Sequence, residues 1–120
     1  MTCKELRLVH LTGRDYNEMT RRLSWYERVS KDLRPAKYRI AKRIPCDVDP
    51  NEAPDEELWK EHERLSRTSH VLLREIDSGS RDLASLPPAR TSFLNLKATL
   101  LNRMIRRCTF CEWKCKVDRV

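Results

Sequence analysis

Pro54-Asp55-Glu56-Glu57-Leu58-Trp59-Lys60-Glu61-His62-Glu63-Arg64-Leu65-Ser66-Arg67-Thr68-Ser69-His70-Val71-Leu72-Leu73-Arg74-Glu75-Ile76 is the stretch that decides the fold class. A proline fits the first turn of a helix, and the three carboxylates behind it favour the positive end of the helix dipole. Leu58, Leu65 and Leu72 then repeat at seven, with Trp59, His62, Leu73 and Ile76 widening the stripe, and Gly79 supplies a left-handed stop. A helix of about six turns with so wide an apolar face needs a partner to cover it.

Helical patterns flank this stretch on both sides. Tyr16, Met19, Leu23, Tyr26, Val29 and Leu33 fall at three- and four-residue steps, predicting a helix over residues 14–33 that Thr12 or Asp15 caps and Pro35 ends. A short helix is expected over residues 35–44, carrying Tyr38, Ile40 and Ala41, with Pro45 stopping it and residues 46–53 forming a loop. Ser-Gly-Ser at 78–80 and Leu86-Pro87-Pro88 mark residues 78–91 as a linker crossing the surface in extended form. A last helix over residues 92–107 places Leu94, Ala98, Leu101 and Ile105 on one stripe, with Leu96, Leu100 and Met104 beside it.

Composition agrees with a mostly α chain. Of 120 residues only two are glycine and β-branched residues are few, so helix is the cheap conformation. With 39% hydrophobic residues a small core is within reach, while 36% charged residues leave most of the chain as solvated surface. The expected architecture is a helical region over residues 1–77, the linker at 78–91, and over residues 92–120 an amphipathic helix leading into a cysteine-rich, metal-binding tail. No apolar run is long enough to cross a bilayer, and the first residues lack a basic segment leading into an apolar one. The expected location is therefore the cytoplasm.

The net charge of +7 hides segregation. Residues 14–43 hold ten basic side chains against four acidic ones; residues 47–64 hold eight acidic against two basic. Two such segments can attract each other or pair with another part of a larger protein. The basic segment also raises nucleic acid as a partner, although no helix-turn-helix or Gly-aromatic RNA-binding signature accompanies it.

Chemistry is legible at one place, the tail Cys108-Thr109-Phe110-Cys111-Glu112-Trp113-Lys114-Cys115-Lys116-Val117-Asp118-Arg119-Val120. Three of the five cysteines lie here in a C-x2-C-x3-C pattern whose short spacers let the backbone wrap around a soft metal, zinc or an iron–sulfur cluster. In a reducing compartment such a cluster reads as metal ligands rather than as a disulfide framework. Phe110 and Trp113 are placed to shield a centre from water, and Arg103, Arg106 and Arg107 suit both the helix end and an anionic thiolate centre. A fourth ligand is not evident. Cys3 and Cys46 read as ordinary small semi-buried residues, and His62 and His70 as packing or surface residues without a metal-ligating companion. No Gly-rich phosphate loop, G-x-S-x-G elbow or H-E-x-x-H pair occurs, which argues against a stand-alone hydrolase or kinase.

The tail from Cys108 to Arg119 resembles the C-x-x-C-x-x-x-C-x-V-[DN]-R segment near the start of radical S-adenosylmethionine proteins of the pyruvate formate-lyase activating enzyme-like group, with Lys116 where that family typically has glycine. The resemblance spans about twelve residues directly. It implies that Cys108, Cys111 and Cys115 hold a structural or auxiliary metal, since their spacing is the reverse of the family's radical-generating C-x3-C-x2-C loop. It also implies a parent protein whose later barrel, on the same or a separate chain, carries a [4Fe–4S] cluster and cleaves S-adenosylmethionine reductively. These 120 residues contain no such loop, so the expectation is an N-terminal portion without the catalytic barrel and without radical chemistry of its own. The alternative expectation is a small basic zinc-binding module that contacts nucleic acid or a protein partner.

Overall fold

The computed structural model describes residues 13–120; Cys3 and the Thr12 cap lie outside the described residues. The described chain is mostly helical: α1 (Gly13–Arg22), α2 (Ser24–Ser30), α3 (Lys37–Ala41), α4 (Asp55–Asp77) and α5 (Phe93–Ile105), with a short 3-10 turn at Leu83–Ser85. Among the described residues there is no strand, only an isolated antiparallel bridge between Pro45 and Ser92. No helix among them is long and apolar enough to cross a membrane. The chain divides into two compact units, Met1–Arg34 and Pro35–Val120.

In the first unit the single helix expected over residues 14–33 is two. The interruption falls at Leu23 (φ −97°, ψ 11°), yet Leu23 N–H still donates to the Met19 carbonyl (2.9 Å) and Glu27 N–H to the Leu23 carbonyl (3.1 Å), so the ladder bends rather than ends. Neither glycine nor proline stands at the bend. Ion pairs Arg21–Glu18, Arg22–Glu18 and Lys31–Glu27 line the exposed faces. Asp32 adopts a left-handed conformation (φ 56°) and Leu33 N–H reaches back to the Arg28 carbonyl (2.8 Å), so α2 is closed three residues before Pro35 could stop it.

The second unit is built around α4. Leu58, Leu65, Leu72 and Ile76 are buried, as the seven-residue repeat requires, and Ile40, Ala41, Ile44, Leu83, Phe93, Leu96 and Leu100 complete the core. Pro54 occupies the N-cap, Asp55, Glu56 and Glu57 the first turn, and Gly79 (φ 78°) ends the helix with Arg81 N–H donating to the Glu75 carbonyl (3.2 Å). Ser92 caps α5 in a reciprocal box with Asn95. Helix α5 turns a different face inward from the one read from sequence: Phe93, Leu96 and Leu100 are buried, while Leu101 is half exposed and Ala98 faces water. The Phe93 ring, the largest side chain at the start of the helix, fixes the rotation by entering the core, and residues three and seven positions on follow it.

Residues 78–91 are more ordered than a bare crossing strand. Leu83 is buried, Ala89 N–H donates to the Lys42 carbonyl (2.9 Å), and Arg43 Nε donates to the Leu86 carbonyl (2.9 Å). Cys46 N–H to Thr91 O and Phe93 N–H to Ile44 O, both 2.9 Å, continue this lacing between residues 42–46 and 86–93.

Candidate metal centre

Helix α5 delivers the chain to Cys108, whose side chain is buried at 4% exposure. The backbone then closes a loop on itself. Cys108 N–H donates to the Val117 carbonyl (3.1 Å), Lys116 N–H to the Cys108 carbonyl (2.8 Å), and Arg119 N–H to the Ile105 carbonyl (3.1 Å). Within the loop Lys114 N–H donates to the Cys111 carbonyl (3.1 Å), and Lys114 and Lys116 both take left-handed conformations (φ 44° and 56°). Lysine carries a Cβ penalty in that region which glycine does not.

The turn at Lys116 aims the Val117 amide at the Cys115 sulfur. That N–H bond, with the Arg119 guanidinium beside it, holds the Cys115 thiol below its ordinary range and biases it toward the thiolate, the form that ligates metals. Arg119 Nη2 stands 3.8 Å from Cys115 Sγ, and the neighbouring Cys108 and Cys115 side chains raise the guanidinium's pKa. The charge reading did not single out Arg119; its signals in the sequence were its place four residues beyond Cys115 and at the close of the resembled segment.

Cys111 is exposed, and among the described residues no three His, Cys, Asp or Glu side chains are grouped to hold an ion. The donor set suits a thiophilic metal in its chemistry, while the placement brings two of the three sulfurs to a shared cation. Other expectations for the tail are corrected. Phe110 and Trp113 are exposed, Trp113 at 88%, and shield nothing here. Arg103 leaves the tail altogether: it donates to the Ala53 carbonyl (3.0 Å), the Pro50 carbonyl (3.2 Å) and Asp55 Oδ1 (2.6 Å), clamping the entry of α4 to α5.

The remaining candidates have packing roles. The Cys46 thiol donates to the Val48 carbonyl (3.2 Å), and burial raises its pKa. His62 lies edge-on to Trp59 and against Phe93, with ring centroids 5.5 and 5.2 Å away, and burial together with the neighbouring Lys97 lowers its pKa. The acidic segment is largely matched by nearby cations: Arg64 pairs with Asp47 (2.7 Å) and the buried Glu61 (2.6 Å), Lys60 with Glu56, Arg67 with Glu63 and Arg103 with Asp55.

The chain is similar to an uncharacterized protein of the archaeon Methanocaldococcus jannaschii, 33% identical over 99 residues. The match covers 82% of this chain and 27% of that protein, so the chain spans about a quarter of the length of the curated relative. No family model matches the chain, and no solved structure matches it.

Proposed function

We propose that the chain is the helical N-terminal portion of a radical S-adenosylmethionine iron–sulfur protein of the cytoplasm, and that Cys108, Cys111 and Cys115 are its auxiliary metal ligands. The observation that carries this reading is the left-handed turn at Lys116. The family resembled here typically has glycine at that position, and the turn directs the Val117 amide at the Cys115 sulfur, an arrangement that stabilises a metal-bound thiolate. Similarity to a stretch that makes up 27% of an uncharacterized archaeal protein supports only the part of this reading that sets the chain within a longer protein.

In the complete parent, a [4Fe–4S] cluster on the barrel would supply the electron that cleaves S-adenosylmethionine. The residues of this chain have a more limited task. Cys108 offers a sulfur held by the end of α5, Cys115 one biased to the thiolate, and Cys111 one on the outer turn. Arg119, which lies against the Cys115 sulfur, would offset the charge of an anionic centre. The fourth ligand would come from the barrel portion, on the same chain or a partner chain.

The test is anaerobic reconstitution of the full chain with iron and sulfide beside a zinc-loaded sample, with metal analysis and absorbance. Brown protein whose thiolate-to-iron absorbance is lost in Cys108→Ser, Cys111→Ser and Cys115→Ser is the expected result. Zinc retained by the same cysteines with no iron would favour the zinc-module reading, and retention of neither metal would overturn both.

A further inference from the structure

The second unit carries a cleft unrelated to the cysteines. Helix α3 buries Ile40 and Ala41, which leaves Tyr38, Arg39 and Lys42 on its outer side. These residues and Arg43 form one wall of a cleft of about 380 Å3, and Pro88, Ala89, Ser92, Leu94 and Asn95 form the other. The hydrogen bond from Ala89 N–H to Lys42 O laces the two walls together. Arg43 is fixed in place, its Nε donating to the Leu86 carbonyl (2.9 Å) and its Nη1 to the Arg39 carbonyl (3.0 Å).

The charge around this cleft is one-sided. No carboxylate lines it, and among the described residues Arg39, Lys42 and Arg43 form no ion pair. Glu75, which shares a neighbouring cleft with Arg43, is paired with Arg81 (2.8 Å). Three cations within five residues, sharing one concavity without a counter-charge, repel one another and create a positive potential that an oxyanion relieves. The Arg39 guanidinium can match phosphate oxygens in pairs, while Arg43, with Nε and Nη1 already donating to carbonyls, offers its remaining N–H groups from a fixed position and so loses less entropy on binding. At the rim Tyr38 exposes more than half of its surface, a flat face on which a planar ring can stack.

We propose that the cleft between α3 and the start of α5 binds a mononucleotide through its phosphates, with Arg39, Lys42 and Arg43 taking the phosphate oxygens and Tyr38 stacking on the base. The volume is near the lower end for small-molecule sites, which suits one nucleotide and not a dinucleotide. A nucleic acid strand is the less favoured ligand, because the cations converge on one short concavity instead of following a groove that tracks a backbone. The proposal is independent of the metal assignment.

Calorimetric titration of the full chain with ADP at low salt tests it. Saturable one-to-one binding with a Kd between about 10 μM and 1 mM is expected. The double variant Arg39→Ala/Lys42→Ala should weaken it at least about tenfold and Tyr38→Ala about threefold, with Arg67→Ala as an unaffected surface control. All four side chains are exposed, so the helical circular dichroism should be unchanged in each variant. Inorganic phosphate should bind more weakly than ADP. The proposal fails if ADP does not saturate, if the double variant binds as the parent does, or if single-stranded RNA binds more tightly than ADP with a steep salt dependence.

Discussion

Lys116 and Glu61 show how much a single side chain can constrain. Lys116 holds a left-handed conformation that costs a non-glycine residue roughly 1–2 kcal/mol, and the turn it makes is what brings the Val117 amide to the Cys115 sulfur. Lys116→Gly is therefore expected to leave thermal stability unchanged or slightly raised and to retain metal at least as well, whereas Lys116→Val should lower metal retention; metal-to-protein ratios after desalting measure both. Glu61 is buried between the Arg64 guanidinium and the Asp47 amide, and the Arg64 hydrogen bond holds its carboxyl below the ordinary value of 4.5. A depressed carboxylate contributes stability above that ordinary value and loses it as pH falls through the lower folded-state value. The thermal midpoint should thus drop on acidification below about pH 4.5, and Glu61→Gln should flatten that drop while lowering the midpoint at neutral pH.

Among the elements, α4 is where local pattern and tertiary packing agree. Leu65 lies midway along it, 1% exposed, and Leu65→Ala should cost about 2–5 kcal/mol in urea unfolding, while Val71→Ala on the exposed face should cost under about 1 kcal/mol. The heptad of α4 was readable because periodicity is a local property, whereas Ser92, read as the first residue of the last helix, is its cap. The rotation of α5 was not: Leu94 to Ile105 and Phe93 to Leu100 are both respectable apolar stripes, and only the docking of the Phe93 ring against its neighbours chooses between them. The bend at Leu23 has no breaker residue to announce it. Segment 78–91 looked like free chain because its proline and glycine content is real, yet the Lys42 carbonyl and the Arg43 guanidinium that hold Ala89 and Leu86 lie more than forty residues away in sequence. In the tail, the spacing of the cysteines was plain. The shared Arg119 was hidden because the return of the backbone to Ile105 is a non-local event.

For the whole molecule, the two units differ in how they are stabilised. The described residues of the first, 13–34, include no buried side chain, and solvent-screened surface ion pairs of the kind found there add little. The second holds the apolar core. A protein trimmed to residues 35–120 should accordingly retain a cooperative thermal transition close to that of the full chain; a non-cooperative melt would show that the first 34 residues are needed for folding. The lacing of residues 42–46 to residues 86–93 has a consequence of a kinetic kind. The turns of α4 and α5 can form from neighbours in sequence, but the amides of Cys46, Ala89 and Phe93 find their acceptors only after a loop of more than forty residues has closed. Folding should therefore be limited by that closure, and these three amides should exchange with solvent only when the whole unit opens, making them the slowest clock in the chain.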